Sequence, residues 1–438
     1  MKNEPKLKKS IGTFAAFSTV MGTVIGAGVF FKISSVTKST NSASLTLWAW
    51  LLGGLLAICG GLTVAELAAS FPETGGAVKY LEKIYGKLSG FLFGWAQTLI
   101  YFPANIAALS IIFSTQIKNL FNISSIYIIP IAILTSCSIT IINMLGNQVS
   151  SILQSTTLVI KLIPISLIII FGLLTPSPVH INLLTNQMLS STHLSGFSNG
   201  LLATLFAYDG WMGVGNIAGE LNNPKRDLPK VIGLGLASIT LVYLLINLIF
   251  LKTLPIKLIA GNQNAASLAA IQIFGGLGGK LITLGILISV YGAINGYTLT
   301  GMRVPYAMAK ENLLPFSRYL KQLSIHTAVP YFSGILQLLL SIFMMLLGSF
   351  DALTNMLVFV MWIFSTLLFI GVIKLRKANP NLKRPYRVPF YPILPIIASL
   401  GGIFVLITTL TNQFTIAIFG ILLTITGIPI YLYKVYRH

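Results

Sequence analysis

Acidic side chains are scarce in this chain: nine Asp and Glu stand against 29 Lys and Arg in 438 residues. The nine are Glu4, Glu66, Glu73, Glu82, Asp209, Glu220, Asp227, Glu311 and Asp351, and most fall between or at the ends of apolar runs. Only Asp209 is expected deep within one. The four histidines, His180, His193, His326 and His438, lie outside the runs. Groups so placed form no metal-ligand cluster, no His–carboxylate pair for hydrolysis and no file of carboxylates for a proton relay. That disfavours an intramembrane enzyme and weakens a proton pump. Cysteine is nearly absent too. Cys59 and Cys137 sit in apolar runs, read as buried thiols, and imply no disulfide framework. Low-complexity sequence and a cleavable signal are also missing, since the first apolar run is too long and has no small-residue cleavage site.

What fills the chain instead is apolar: 55% hydrophobic residues, 9% charged, and a mean hydropathy of +0.85. No soluble protein of this length has that composition. Crossing a bilayer takes about 20 apolar residues. Twelve runs qualify, at 11–36, 45–70, 88–115, 124–145, 151–173, 197–219, 231–252, 277–301, 328–348, 352–373, 392–411 and 414–433. The expected fold is an all-α polytopic membrane protein. Its longest connections are 174–196 and 253–276, the latter holding an apolar patch, Ala265 to Phe274, too short to span and expected as a short surface helix.

The net charge of +20 sorts by side. Lys2, Lys6, Lys8 and Lys9, with the basic residues of 79–87, 225–230, 303–321, 374–387 and the C-terminus, place 22 of the 29 on one face. Lys32, Lys38, Lys118, Lys252, Lys257 and Lys280 fall on the other, and Lys161 inside a run. The positive-inside rule then puts both termini, 1–10 and 434–438, in the cytoplasm. The excess charge faces a lipid bilayer with anionic headgroups, and nucleic acid is not an expected partner.

Met21-Gly22-Thr23-Val24-Ile25-Gly26-Ala27-Gly28-Val29-Phe30 interrupts the first run with three glycines, which weaken a helix interior. Such glycines serve either close helix packing or a polar site lined by free backbone groups. Unpaired backbone costs several kcal/mol per group in hydrocarbon, so it survives only where protein or a water-filled cavity lines it. A second interruption, Thr204-Leu205-Phe206-Ala207-Tyr208-Asp209-Gly210-Trp211, falls in the sixth run. Paired broken spans in two halves point to a secondary-transport site. Five spans separate the two, an odd number, so the second half must be inverted relative to the first.

Lys161 stands alone among apolar residues, at a cost of roughly 2.5–3.5 kcal/mol on insertion scales. Either it snorkels to the interface or it binds carbonyls freed where span 1 unravels, acting there as a fixed cation. Tyr243 in span 7 either hydrogen-bonds into a cavity or packs. Ser289 and Asn295 in span 8 are cavity groups or interhelical glue.

Four motifs carry a resemblance: Gly22-Thr-Val-Ile-Gly-Ala-Gly-Val-Phe30, Ala65-Glu-Leu with Phe71-Pro-Glu-Thr-Gly-Gly76, Phe206-Ala-Tyr-Asp-Gly-Trp211, and Gly219-Glu-Leu-Asn-Asn-Pro-Lys-Arg-Asp-Leu-Pro229. From Lys8 to the C-terminus the chain resembles the amino acid–polyamine–organocation (APC) superfamily, and within it the L-amino-acid transporter (LAT) family and bacterial Ser/Thr and Ala/Ser/Cys exchangers. That resemblance implies a five-plus-five inverted repeat, 11–173 (spans 1–5) and 197–373 (spans 6–10), with two further helices in 392–433 and spans 1 and 6 unwound. It implies a substrate carboxylate on the N–H groups of Gly26, Ala27 and Gly28, and an ammonium at the carbonyls of Val24, Phe206 and Asp209. Phe206 takes the place of an aromatic gate. Lys161 falls where sodium-independent members carry a lysine, near the Gly22 carbonyl and Ser289. Animal members have glycine where Asp209 stands and pair with a single-span glycoprotein, and no such subunit is expected here.

The expected function is sodium-independent exchange of small neutral L-amino acids such as Ala, Ser, Cys and Thr across a bacterial inner membrane, by alternating access and without a cofactor or metal. Proton-coupled symport through Asp209 is the alternative within transport. An amino-acid sensor on a transporter body is the alternative of another class.

Overall fold

The computed structural model describes residues 13–71, 76–177, 179, 191–211 and 223–436. Glu4, Glu73, Glu220, His180, His438, the N-terminal lysines, about half of the 174–196 connection, residues 212–219 of the sixth run and parts of the second and fourth motifs lie outside them. All regular secondary structure among the described residues is helical, with no strand. The helices are α1 (Thr13–Val24), α2 (Gly28–Thr40), α3 (Ala43–Ser70), α4 (Gly76–Tyr85), α5 (Lys87–Ala96), α6 (Phe102–Phe121), α7 (Ile128–Met144), α8 (Asn147–Leu174), α9 (Ser191–Ala207), α10 (Pro224–Thr253), α11 (Ile256–Ile259) and α12 (Ala265–Gly301). They continue as α13 (Arg303–Lys310), α14 (Ser317–Leu320), α15 (Tyr331–Leu347), α16 (Phe350–Ala378), α17 (Ile393–Asn412), α18 (Phe414–Ile425) and α19 (Gly427–Tyr436).

Nine helical stretches among the described residues are long and apolar enough to cross a membrane. The chain is a multi-pass membrane protein. The first run is divided between α1 and α2, and the helices on the sixth and ninth runs, α9 and α15, span 17 residues each. Helix ends follow local chemistry. The Ser42 and Ser349 hydroxyls accept from the backbone N–H three residues on, capping α3 and α16. Asn41 and Asn122 take positive φ at the C-caps of α2 and α6, where a short amide side chain is tolerated.

Two expectations need correction. The patch Ala265 to Phe274 is no separate surface helix. It leads into the eighth span through a kink at Gly275, whose φ of 74° only glycine adopts readily, and Ala265, Ala266, Ala269 and Ala270 are buried in the core. Four small side chains at helical spacing let this turn pack closely, which an apolarity count cannot reveal. Cys59 and Cys137 are free but half-buried rather than enclosed.

Among the contacts that hold the bundle, α3 packs on α10 and α9 and α12 packs on α8 and α6. Small residues permit this. A Cβ on Gly54 would lie 2.5 Å from the Thr240 side chain and 2.9 Å from the Tyr208 hydroxyl, so the bare backbone of α3 at Gly54 makes room for side chains from α10 and from the residue after α9.

Glu66 sits near the end of α3 with its side chain 3% exposed. It accepts from Arg376 Nε at 2.8 Å, from the Val388 N–H at 2.8 Å, and pairs with Arg384 Nε at 3.4 Å. Arg376 also lies 3.8 Å from the Tyr391 ring centre. Arg384 donates to the carbonyls of Leu375, Asn379, Pro380 and Leu382, closing the end of α16. Burial and the nearby carboxylate push the Tyr386 phenol up to about 12, so it stays neutral beside the arginines. One carboxylate therefore holds the α16–α17 connection to α3. Removing one member of a buried pair strands its partners, at about 3–5 kcal/mol. Glu66→Ala is expected to lower the thermal midpoint in detergent clearly, with Glu66→Gln intermediate; equal midpoints for all three proteins would contradict this role.

Candidate functional site

The two sequence interruptions become two helix breaks that meet. α1 stops at Val24, Ile25 and Gly26 are non-helical, and α2 starts at Gly28. α9 stops at Ala207, and Gly210 beyond it has φ 102°, a conformation that suits glycine. Each break ends one helix on carbonyls without intrahelical donors, and α2 opens on N–H groups without intrahelical acceptors. The half-helix dipoles bring partial positive charge to the start of α2 and partial negative charge to the ends of α1 and α9.

Gly28 is what lets the breaks touch. A Cβ there would stand 2.6 Å from Ala207 Cα and 2.7 Å from its Cβ. Gly26 differs, since a Cβ would meet only Ala293 Cβ and the Val24 carbonyl at 3.9 Å, ordinary contact distances. Of the two readings of the glycines, packing therefore applies to Gly28, while Gly26 leaves room beside the break.

Tyr243 of α10 reaches the junction. Its hydroxyl lies 2.9 Å from the Val24 carbonyl and 3.0 Å from the Ala207 carbonyl, so a single O–H proton serves the ends of both broken helices. Its ring is fully buried, edge-on to Trp50 at 5.6 Å and tilted against Tyr208 at 5.1 Å. Tyr208 in turn donates to the Trp50 carbonyl at 2.9 Å. These three aromatic side chains, from α3, the α9 break and α10, form the floor under the breaks.

Lys161 is buried on α8 and donates to the Gly22 carbonyl in the last turn of α1. It forms no hydrogen bond to Ser289, whose hydroxyl is buried without a partner on α12. Asn295, six residues on, serves as interhelical glue: it accepts from Asn143 at 2.8 Å and donates to Gln154 at 3.0 Å, tying α12 to α7 and α8.

Asp209 accepts from the Tyr101 hydroxyl at 2.6 Å. Tyr101 closes a π-helical turn, Gln97–Tyr101, between α5 and α6. Such wide turns recur at functional sites. Its sequence signal was Pro103, which has no N–H to give to the preceding turn. Tyr297 of α12 stands edge-on to Tyr101 at 5.9 Å.

Lys32 departs most from expectation. The sequence places it with the basic residues of the second face, yet it is 0% exposed. It bonds Asp351 Oδ1 at 2.8 Å and Thr354 Oγ1 at 2.6 Å, both in the first turns of α16. Its ammonium also lies 4.7 Å from the Phe350 ring centre and 5.4 Å from that of Phe206. Lys32 thus joins Lys161 as a second buried lysine among the described residues. The sequence hid Lys32 because its partner lies 319 residues away.

These contacts separate the two glycines by stability. Gly28→Ala is expected to destabilise the folded protein by about 1–3 kcal/mol, the cost of overpacking, whereas Gly26→Ala should keep its thermal midpoint. Matching midpoints for both variants would refute the packing role of Gly28.

The sequence profile of the amino acid permease family matches residues 11–428. The chain is 39% identical to the serine/threonine exchanger SteT of Bacillus subtilis (strain 168), over 97% of this chain and 96% of that protein. It is 27% identical to the b(0,+)-type amino acid transporter 1 of Rattus norvegicus, over 94% of this chain and 85% of that one. With the cystine/glutamate transporter of Homo sapiens the figures are 28%, 97% and 85%. Helical fold, paired breaks and these matches agree: the chain belongs to the amino acid permease family of the APC superfamily, and it is a membrane transporter of amino acids, not an enzyme.

Proposed function

We propose that this protein is a sodium-independent exchanger of small neutral L-amino acids, with serine, threonine, alanine and cysteine as the substrate class. The observation that carries the reading is the Tyr243 hydroxyl between the Val24 and Ala207 carbonyls. It couples the two broken helices where backbone donors and acceptors of opposite polarity converge. An amino-acid carboxylate suits the N–H groups of Gly26, Ala27 and Gly28, and an α-ammonium suits the carbonyls of Val24, Phe206 and Asp209. Phe206, edge-on to Phe350 at 5.8 Å, is the aromatic gate in this reading. Lys161, bound to the end of α1, does the work of a fixed cation and removes the need for sodium. The serine/threonine exchanger at 39% identity supports the substrate class.

Twelve spans, a five-plus-five inverted repeat over 11–173 and 197–373, two further helices in 392–433 and cytoplasmic termini belong to the same proposal. The distribution of basic residues supports the orientation. No ancillary subunit enters it, and alternating access moves the substrate.

Counterflow in proteoliposomes tests the reading. Labelled serine is expected to enter only when unlabelled neutral amino acid is inside, at equal rates with and without Na⁺. Uptake into empty vesicles that requires Na⁺ would overturn it. Uptake into empty vesicles driven by a pH gradient would favour proton symport instead. The Asp209–Tyr101 contact makes that the second reading, with the carboxylate as proton carrier.

Tyr243→Phe removes one hydroxyl and leaves two carbonyls short of a donor. Exchange should fall roughly five- to thirtyfold if the hydroxyl is worth about 1–2 kcal/mol in the transport cycle, with the protein still inserted and folded. A wild-type rate in that variant would reduce Tyr243 to packing.

A further inference from the structure

The Lys32 contacts lie at the end of α9 that carries the proposed gate, yet the transport reading does not use them. A lysine has three N–H groups. Two find oxygens, Asp351 Oδ1 at 2.8 Å and Thr354 Oγ1 at 2.6 Å. Two aromatic faces stand close by, Phe350 at 4.7 Å and Phe206 at 5.4 Å. The same Asp351 oxygen accepts from Ser35 at 2.6 Å, so α2 grips the start of α16 twice. Asp351 keeps 43% of its side-chain surface exposed. Water therefore reaches the carboxylate but not the ammonium, and the pair is buried from one side only.

If the pair merely glued α2 to α16, the oxygens would suffice. The rings add a third element. Phe206 belongs to α9, in its last turn before the break. Cation–π attraction strengthens as the cation loses water, and this one is wholly buried. The Phe206 ring is therefore held from two directions, edge-on by Phe350 and by the charge on Lys32.

We propose that Lys32 is a positioning residue for Phe206: its ammonium, fixed by Asp351 and Thr354, pins the ring across the path on the α16-start side of the protein and sets how readily that side opens. This rests on the reading of Phe206 as the gate. Opening there requires α2 and the start of α16 to part. The ion pair and the cation–π contact are then lost together, because one nitrogen makes both. Only the state closed on that side gains from them, so Lys32 biases the balance between the two facing states.

The test uses the full chain in oriented proteoliposomes, with the KM of labelled serine exchange measured from each face for wild type, Lys32→Met, Lys32→Arg and Asp351→Asn. Methionine keeps the bulk and removes the charge. Lys32→Met is expected to lower the KM on the α16-start face relative to the opposite face, shifting their ratio roughly tenfold. Lys32→Arg, which keeps a cation against the rings, should return the ratio toward wild type. A ratio unchanged in Lys32→Met, or lost activity that arginine does not rescue, overturns the proposal. Should Lys32→Met fail to fold, Asp351→Asn and Thr354→Val decide instead. Each loosens the ammonium without deleting it and should move the ratio the same way, and an unmoved ratio in both overturns the role of Lys32. Wild-type protein that exchanges no neutral amino acid defeats the transport reading itself, whereas wild-type exchange with an unmoved ratio defeats only this inference.

Discussion

Interrupting a helix inside hydrocarbon frees carbonyls that water cannot reach, and each one left unpaired costs several kcal/mol. The Tyr243 hydroxyl meets that constraint for two helices at once, standing between the Val24 and Ala207 carbonyls. Much of the neighbouring packing keeps that phenol in place. Trp50 and Tyr208 wall its ring. Gly54 allows α3 close enough to α9 and α10 for those rings to meet. Gly28 allows the second half of the first span to touch the end of α9. A transporter must hold its substrate-binding backbone open without letting it collapse into helix, and a buried phenol fixed by aromatic neighbours does so without adding a charge.

The few charges buried in the fold follow one rule, since a charge without a partner there is too costly to keep. Each sits at, or reaches to, a helix break or helix end. Lys161 holds the end of α1. Asp209 turns toward the Tyr101 hydroxyl from the break after α9. Glu66 gathers Arg376, Arg384 and the Val388 N–H at the end of α16. Lys32 joins α2 to the start of α16. α16 is consequently tied at both ends, to α2 at its start and to α3 at its finish. Any change of facing state must therefore either carry α16 along with those helices or break one of the two pairs.

Hydropathy and glycine placement made much of this legible before any coordinates. The apolar runs became helices because hydrocarbon forces the backbone to bond within each span. The breaks fell at Gly26 and around Gly210, where the glycines weaken the helix. Lys161 was conspicuous as a single charge among apolar neighbours. That it binds a carbonyl freed where span 1 unravels was one of two readings of the residues themselves, and the resemblance named Gly22 as the carbonyl.

The sequence by itself determined the membrane class, the approximate spans and the two breaks, because these depend on residues near one another along the chain. Which group meets which break was decided only by the tertiary structure. Tyr243 looked like any phenol in an apolar run. Tyr101 was marked only by a proline two residues on. Lys32 read as one of the few basic residues of the second face until its carboxylate appeared on α16, 319 residues away. Partners so distant leave no periodicity in a single sequence, and it is the folding of α2, α9, α10 and α16 together that gives these side chains their contacts.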